Sequence, residues 1–347
     1  MESEFFIRIS GENEELAEGE VQAVLETEEI GYIILKRLPQ VILLSSNPQC
    51  VEAITRKCAM TREGGSLLFI CKAEMGEIIH AVSGIRPNRL GEMEDRFSVR
   101  IRRIQGSSRE IHAESLEGEM GRMILERRPD LKVDLRNPRQ AFLGLLTGGN
   151  MVFGLKRIEV RPRDYQSRRP RDRPFFHPSS MAPMLARTMA NLSRCREGEL
   201  LLDPFCGTGG ILLEAGLTGR RVLGSDVKPE MVEGTLRNLS HAGVDYEGLV
   251  ASEIGNLPFI RVDSIATDTP YGKLSTTLGN PPEYLIEKLL NSASKVIPDG
   301  RFICIGSRIE TGLMEKAETA GFTFIKSFHF REHRSLTRVI LVLRKEG

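Results

Sequence analysis

The sequence of 347 residues predicts an α/β protein whose C-terminal half is an open, doubly wound sheet of five parallel strands closed by an antiparallel hairpin. Three observations carry that expectation. From residue 200 onward, short apolar runs alternate with amphipathic helical stretches, the rhythm of a parallel sheet with helices on both faces. Within it, residues 200–215 read as a buried strand, a turn containing Gly207, Gly209 and Gly210, and the start of a helix, the opening of a nucleotide-binding unit. The chain then ends on two apolar stretches, 322–331 and 338–344, separated only by 332–337. That link is too short for a crossover, so these two strands must run antiparallel.

Length and composition bound the reading. A chain of this size buries the cores of two or three domains. The net charge of +1 conceals an asymmetry: ten acids and one arginine precede residue 30, whereas 156–173 carries eight basic and three acidic residues. On charge alone such a stretch is either a solvated face or a nucleic-acid contact. The cysteines at 50, 58, 71, 195, 206 and 304 show no C-x-x-C spacing, so reduced thiols are expected, with no disulfide set and no metal site. The acidic start lacks a signal-peptide n-region, and no apolar run reaches the length of a membrane span. A soluble, cytoplasmic protein with no membrane partner is expected.

In chain order, 4–10 alternates like a strand, 16–28 fits a helix, 32–35 and 41–45 form a hairpin around Pro39, 48–61 is helical and 66–73 is a strand. The order β-α-β-β-α-β is that of a ferredoxin-like module, assigned to residues 1–74. A second α+β unit, 75–157, has a strand at 96–104 with Phe97, Val99 and Ile101 facing one side and arginines the other. A helix at 110–128, a strand at 132–135 and a hairpin of 140–146 with 151–155 follow. Residues 158–174, dense in arginine and proline, read as a basic linker, and Arg168, Arg169 and Arg171 are its candidate nucleic-acid contacts. The third domain is 175–347. Its helices are expected at 183–195, 210–216, 229–242, 282–296 and 312–320, and its parallel strands at 200–203, 221–226, 248–253, 264–268 and 301–306.

Ligands of such sheets bind at the carboxyl ends of the strands. Asp203, Asp226, Glu253 and Asp268 each end a successive strand and should share one rim, although a single such acid is more often a helix cap. The turn Asp203-Pro204-Phe205-Cys206-Gly207-Thr208-Gly209 lacks the third glycine of a dinucleotide fingerprint, since Leu212 stands there. Its pattern, D-x-x-x-G-x-G, resembles S-adenosylmethionine (SAM)-dependent methyltransferases, and parallel strands ending in a hairpin resemble the Rossmann-like class I of that superfamily. The resemblance implies SAM as cofactor, held by residues 203–209, with its ribose on Asp226 beside Val227 and its adenine near Glu253 and Ile254.

Asp268-Thr269-Pro270-Tyr271 resembles the D-P-P-Y motif of methyltransferases that modify exocyclic amino groups, with threonine where proline is usual. The resemblance implies that Asp268 and a loop carbonyl accept the amino N–H bonds while Tyr271 stacks on the base. Aspartate at 268 suits guanine, whose N1–H and N2–H are adjacent donors. Carbon-5 methylation is disfavoured, because no Pro-Cys pair occurs.

Residues 116–122 and 133–138 resemble a THUMP domain, an RNA-binding module. Arg173-Pro-Phe-Phe-His-Pro-Ser179 and His333-Arg-Ser-Leu-Thr-Arg338 resemble archaeal tRNA (guanine-N2-)-methyltransferases that act at position 10. The likeness covers essentially the whole chain, and it implies that His177 belongs to the loop over the cofactor. The expected function is methyl transfer from SAM to guanine N2 of tRNA, once or twice, by a monomer, with the need for a small activator subunit left open. The alternatives are an N6-adenine methyltransferase and a non-catalytic RNA-binding protein that retains SAM.

Overall fold

Residues Phe5 and Phe6 point to opposite faces of a strand, and both are buried, so that strand lies inside a sheet covered on both sides. The computed structural model describes residues 3–90, 96–270, 282–308, 312–333 and 336–347. They form two compact units, one made of 1–14, 30–55 and 61–160, the other of 15–29, 56–60 and 161–347.

The first unit is built on β1 (Ser3–Ile9), β2 (Tyr32–Leu38), β3 (Val41–Ser46), β4 (Thr61–Lys72), β5 (Arg96–Arg103), β6 (Lys132–Val133), β7 (Gln140–Thr147) and β8 (Asn150–Glu159). All eight join one sheet in the order β2-β3-β1-β4-β8-β7-β5-β6. Strands β1 to β4 alone give the ferredoxin-like order, and β4 then pairs antiparallel with β8, so the sheet continues without a break into the second expected module. Strand β2 lies at the edge, and its pattern of half-exposed residues with Lys36 and Arg37 suits an edge. The core on the far side gathers Phe97, Phe142 and Phe153, with the last two rings stacked 5.7 Å apart. The arginines on the outer face of β5 are paired: Arg96 with Asp134, Arg100 with Glu117 and Arg102 with Glu63.

The helices are α1 (Glu14–Thr27), α2 (Cys50–Lys57), α3 (Met75–Gly84), α4 (Ala113–Arg127), α5 (Pro183–Leu192), α6 (Gly210–Gly216), α7 (Pro229–His241), α8 (Pro282–Val296) and α9 (Leu313–Thr319). Helix α3 has no counterpart in the sequence reading, because glycines at 76 and 84 weaken a short apolar stretch. All but the first residue of α1 belong to the second unit, not to the sheet that precedes it in sequence. Glu20, which is fully buried, is among the residues that tie it there. Its carboxylate accepts the N–H groups of Ala59 and Met60, the Asn191 amide and the Thr188 hydroxyl, all of that unit.

The second unit carries β9 (Leu200–Asp203), β10 (Arg221–Asp226), β11 (Gly248–Ala251), β12 (Ser264–Asp268), β13 (Phe302–Ser307), β14 (Phe322–His333) and β15 (Leu336–Lys345). Their order is β11-β10-β9-β12-β13-β15-β14, with β9 to β13 parallel and β15 antiparallel between β13 and β14. This is the predicted Rossmann-like arrangement with its terminal hairpin. The chain reverses direction across the sheet between β9 and β12, which opens a crevice at their carboxyl ends. Beneath it, Leu202, Ile265, Leu289, Ile303 and Phe322 are buried in one apolar cluster. The basic linker forms two 3-10 turns, Pro162–Arg168 and Pro170–Asp172.

Candidate active site

Strand β9 ends on Asp203, and the chain turns at once because Gly207 and Gly209 take positive φ values of 53° and 76°. A Cβ on Gly209 would stand 2.8 Å from the Thr235 methyl, so this position needs glycine for space as well. Helix α7 pins the turn from outside. The Thr235 hydroxyl donates to the Gly207 carbonyl at 2.9 Å, and the Asn238 amide donates to the Thr208 carbonyl at 2.8 Å. That same amide exchanges hydrogen bonds with both main-chain groups of Phe175. The segment before α5 is thereby tied to the turn, and the Ser180 and Thr208 hydroxyls close the link at 2.9 Å. His177 lies half-buried in this segment, with Nδ1 2.7 Å from the Ser179 hydroxyl. Neither Thr235 nor Asn238 stood out in sequence, since their partners lie 28 to 63 residues away.

Two of the rim acids meet here. Asp226 accepts the Gly207 N–H at 3.0 Å on one oxygen and the Lys228 N–H at 2.9 Å on the other. Each oxygen keeps a further lone pair, which suits the two hydroxyls of a ribose. Asp203 is 2% exposed and accepts the Thr267 hydroxyl at 2.6 Å and the Phe205 N–H at 3.2 Å. Burial pushes its carboxyl up to about 7, against those hydrogen bonds. Burial also raises Asp226, against the N–H groups of Lys228 and Gly207. Two acids, Asp203 buried and Asp226 half-buried, around a turn without Cβ atoms at 207 and 209 fit a cationic nucleoside such as SAM, whose ammonium and sulfonium charges would favour their ionised forms.

Pro204 and Cys206 are buried, Phe205 packs on the core, and Val227 is half-buried beside Asp226. Burial pushes the Cys206 thiol well up, so it is no thiolate nucleophile. Beyond β11, Glu253 is exposed, while the Ile254 side chain enters the core and its carbonyl accepts the Ser292 hydroxyl at 2.6 Å.

Asp268 ends β12 on the other side of the crevice. The Arg338 guanidinium of β15 grips its carboxylate through two bonds, Nε to Oδ1 and Nη2 to Oδ2, each 3.0 Å. Thr269, where the D-P-P-Y pattern has proline, donates both its N–H (3.0 Å) and its hydroxyl (2.9 Å) to the Gly306 carbonyl. Pro270 is half-buried, and Tyr271 lies outside the described residues. The structure therefore brings Asp203, Asp226, Asp268 and the glycine turn to one rim. The motif at 333–338 contains Arg338, but its partner lies 70 residues away and carries no local signal.

The candidate RNA arginines divide. Arg168 binds the fully buried Glu214 at 2.7 Å, a carboxylate that Arg187 also binds at 2.8 Å. Arg169 and Arg171 are exposed.

Comparison with known proteins agrees with this geometry. The family described as UPF0020, RMKL-like, methyltransferase domain, matches residues 170–326. The chain is 33% identical over 343 residues to the tRNA (guanine(10)-N2)-dimethyltransferase of Methanothermobacter thermautotrophicus, covering 99% of each chain. It is also 33% identical to the enzyme of that name from Pyrococcus abyssi, covering 98% of this chain and 99% of the relative. Among solved structures, TrmN from Thermus thermophilus superposes with a TM-score of 0.55 at 18% identity, covering 99% of both chains, a likeness of fold.

Proposed function

The chain belongs to the archaeal tRNA (guanine(10)-N2)-dimethyltransferase family, and from that premise we propose that it methylates guanine 10 of tRNA on N2, in two successive transfers. Methyl transfer from SAM to guanine N2 is its activity; the position, the tRNA and the second methyl are the finer reading. The observation that carries the site is the Asp268 carboxylate, held by Arg338 at the end of β12 beside the crevice.

The chemistry needs such a group. The guanine amino nitrogen is conjugated with its ring, so its lone pair is a poor nucleophile. An acceptor for the N–H bond lets nitrogen move toward sp³ and aims the lone pair. Asp268 offers two acceptor oxygens, which match the adjacent N1–H and N2–H of guanine; adenine presents a donor beside an acceptor. SAM, when bound, supplies a methyl group made electrophilic by its sulfonium. Asp203, Asp226 and the turn 206–209 would hold it, with Val227, Glu253 and Ile254 along the nucleoside and His177 in the covering segment. In this reading the Asp268 oxygens take the proton that N2 sheds, and Tyr271 stacks on the extruded base.

In the same reading, residues 1–74 and the THUMP-like 75–157 anchor the RNA, with 158–174 joining them to the catalytic part. Exposed Arg169 and Arg171 follow its phosphates. The chain works in the cytoplasm as a monomer; among the described residues no helix is long and apolar enough to cross a membrane. The test is incubation of the purified chain with a tRNA transcript and methyl-labelled SAM, followed by nucleoside analysis. We expect N2-methylguanosine, then N2,N2-dimethylguanosine, mapped to position 10. Label in N6-methyladenosine would contradict the reading, and turnover only after a second protein is added would show that an activator is required.

A further inference from the structure

Asp268 pairs in register with Gly306 of β13, and Gly306 with Ile340 of β15. Arg338 stands two residues before Ile340, so all four positions share one face of the sheet. Gly306 has no side chain, and the Asp268 carboxylate occupies the room this leaves: a Cβ there would lie 2.3 Å from Asp268 Oδ1. The carboxylate thus reaches across an intervening strand to a guanidinium that is only 3% exposed. The Gly306 carbonyl meanwhile holds Thr269 from behind through two hydrogen bonds. Main chain on one side and a planar fork on the other leave the carboxylate one orientation.

The surroundings make the pair more than a tether. Two buried titratable groups interact with Asp268, namely Asp203 on β9 and Cys304 on β13, and burial pushes Asp203 up to about 7 while raising Cys304 as well. An opposite charge beside a carboxylate favours its ionised form, and Arg338 is the cation that Asp268 bonds. Once protonated, Asp268 would carry a donor beside an acceptor, and it would then match the donor-acceptor edge of adenine and no longer the two donors of guanine.

We infer that Arg338 is a positioning residue for methyl transfer: it fixes Asp268 across Gly306 as an ionised, acceptor-only group, so that the site accepts a base edge carrying two donors. This rests on the reading that Asp268 meets the base. Four variants of the full chain test it with a tRNA transcript, by single-turnover rate against pH and by calorimetric SAM binding. Asp268→Asn should be nearly inactive. Arg338→Gln should lower the rate by about tenfold or more near neutral pH with SAM affinity unchanged, and its rate should climb with pH where the parent's is flat. Arg338→Lys should restore the flat profile, since it keeps the charge, but not the full rate, since it lacks the fork. Gly306→Ala should slow transfer with the parent pH profile, because it displaces the carboxylate without changing any charge. An inactive Asp268→Asn beside an Arg338→Gln of parental rate and profile would overturn the inference and leave the site reading standing. A fully active Asp268→Asn would overturn both. Should Arg338→Gln fail to fold, judged by melting and loss of SAM binding, a parental rate in Gly306→Ala would overturn the role of that orientation.

Discussion

Asp226 and Asp203 show how much of a residue's role lies in its neighbours. Asp226 holds the glycine turn through Gly207, and in the proposed reading its remaining lone pairs take the hydroxyls of a ribose. Asp226→Ala removes a charged acceptor, a loss of about 1.5–3 kcal/mol, and leaves two main-chain N–H groups to find other acceptors. SAM affinity by calorimetry should fall by about tenfold or more; unchanged binding would remove Asp226 from the site. Asp203 makes a prediction about pH. Its folded value, about 7, lies above its ordinary 3.8, so the folded chain retains a proton that the unfolded chain has released. The stability this group contributes is full below that ordinary value and is lost as pH rises through about 7. Asp203→Asn stays neutral throughout and can still accept from Thr267 and Phe205. Its melting temperature should therefore gain on the parent as pH goes from about 5 to about 8, and a margin independent of pH would contradict the assignment.

At the scale of elements, the short motifs were legible because their physics is local. Apolar runs of period two, Gly207 and Gly209 in a turn, and a hairpin too tight for a crossover each announce themselves within a few residues. What sequence could not show is the set of side chains that reach across elements: Asn238 clamping Phe175 to Thr208, Glu20 drawing α1 into the second unit, and Arg338 gripping Asp268. Each joins positions far apart in the chain by a contact that only the folded sheet creates. Thr269 illustrates the difference. Read against the D-P-P-Y pattern, threonine looks like a loss of stiffness that proline would restore. In the structure its N–H and hydroxyl both bond the Gly306 carbonyl, and proline can offer neither. Thr269→Pro should destabilise the chain by about 1–3 kcal/mol and slow methyl transfer with SAM affinity intact. An equally stable, equally active variant would show that these two bonds are dispensable.

For the whole molecule, the expectation of a catalytic part beginning at 175 meets a discontinuous second unit that also takes in 15–29, 56–60 and the linker turns. The fragment 175–347 lacks the Glu20 carboxylate that Thr188 and Asn191 bond, and it lacks Arg168 on buried Glu214. It should melt well below the full chain and bind SAM poorly; a fragment as stable as the full chain would contradict this. The linker arginines should likewise separate. Reversing Arg169 and Arg171 to Glu should weaken tRNA binding and flatten its dependence on salt, as expected for phosphate contacts. Arg168→Glu should instead lower the melting temperature, because it sets a second acid against Glu214. Identical effects from all three would place Arg168 among the RNA contacts after all. The central claim, that the whole chain acts on guanine N2 in tRNA, meets its most direct test in a transcript carrying inosine at position 10. Inosine keeps the ring, the N1–H and the base stack and lacks only the 2-amino group. With labelled SAM, the guanine transcript should take up methyl groups at position 10 and the inosine transcript none. Equal labelling of both would contradict the account.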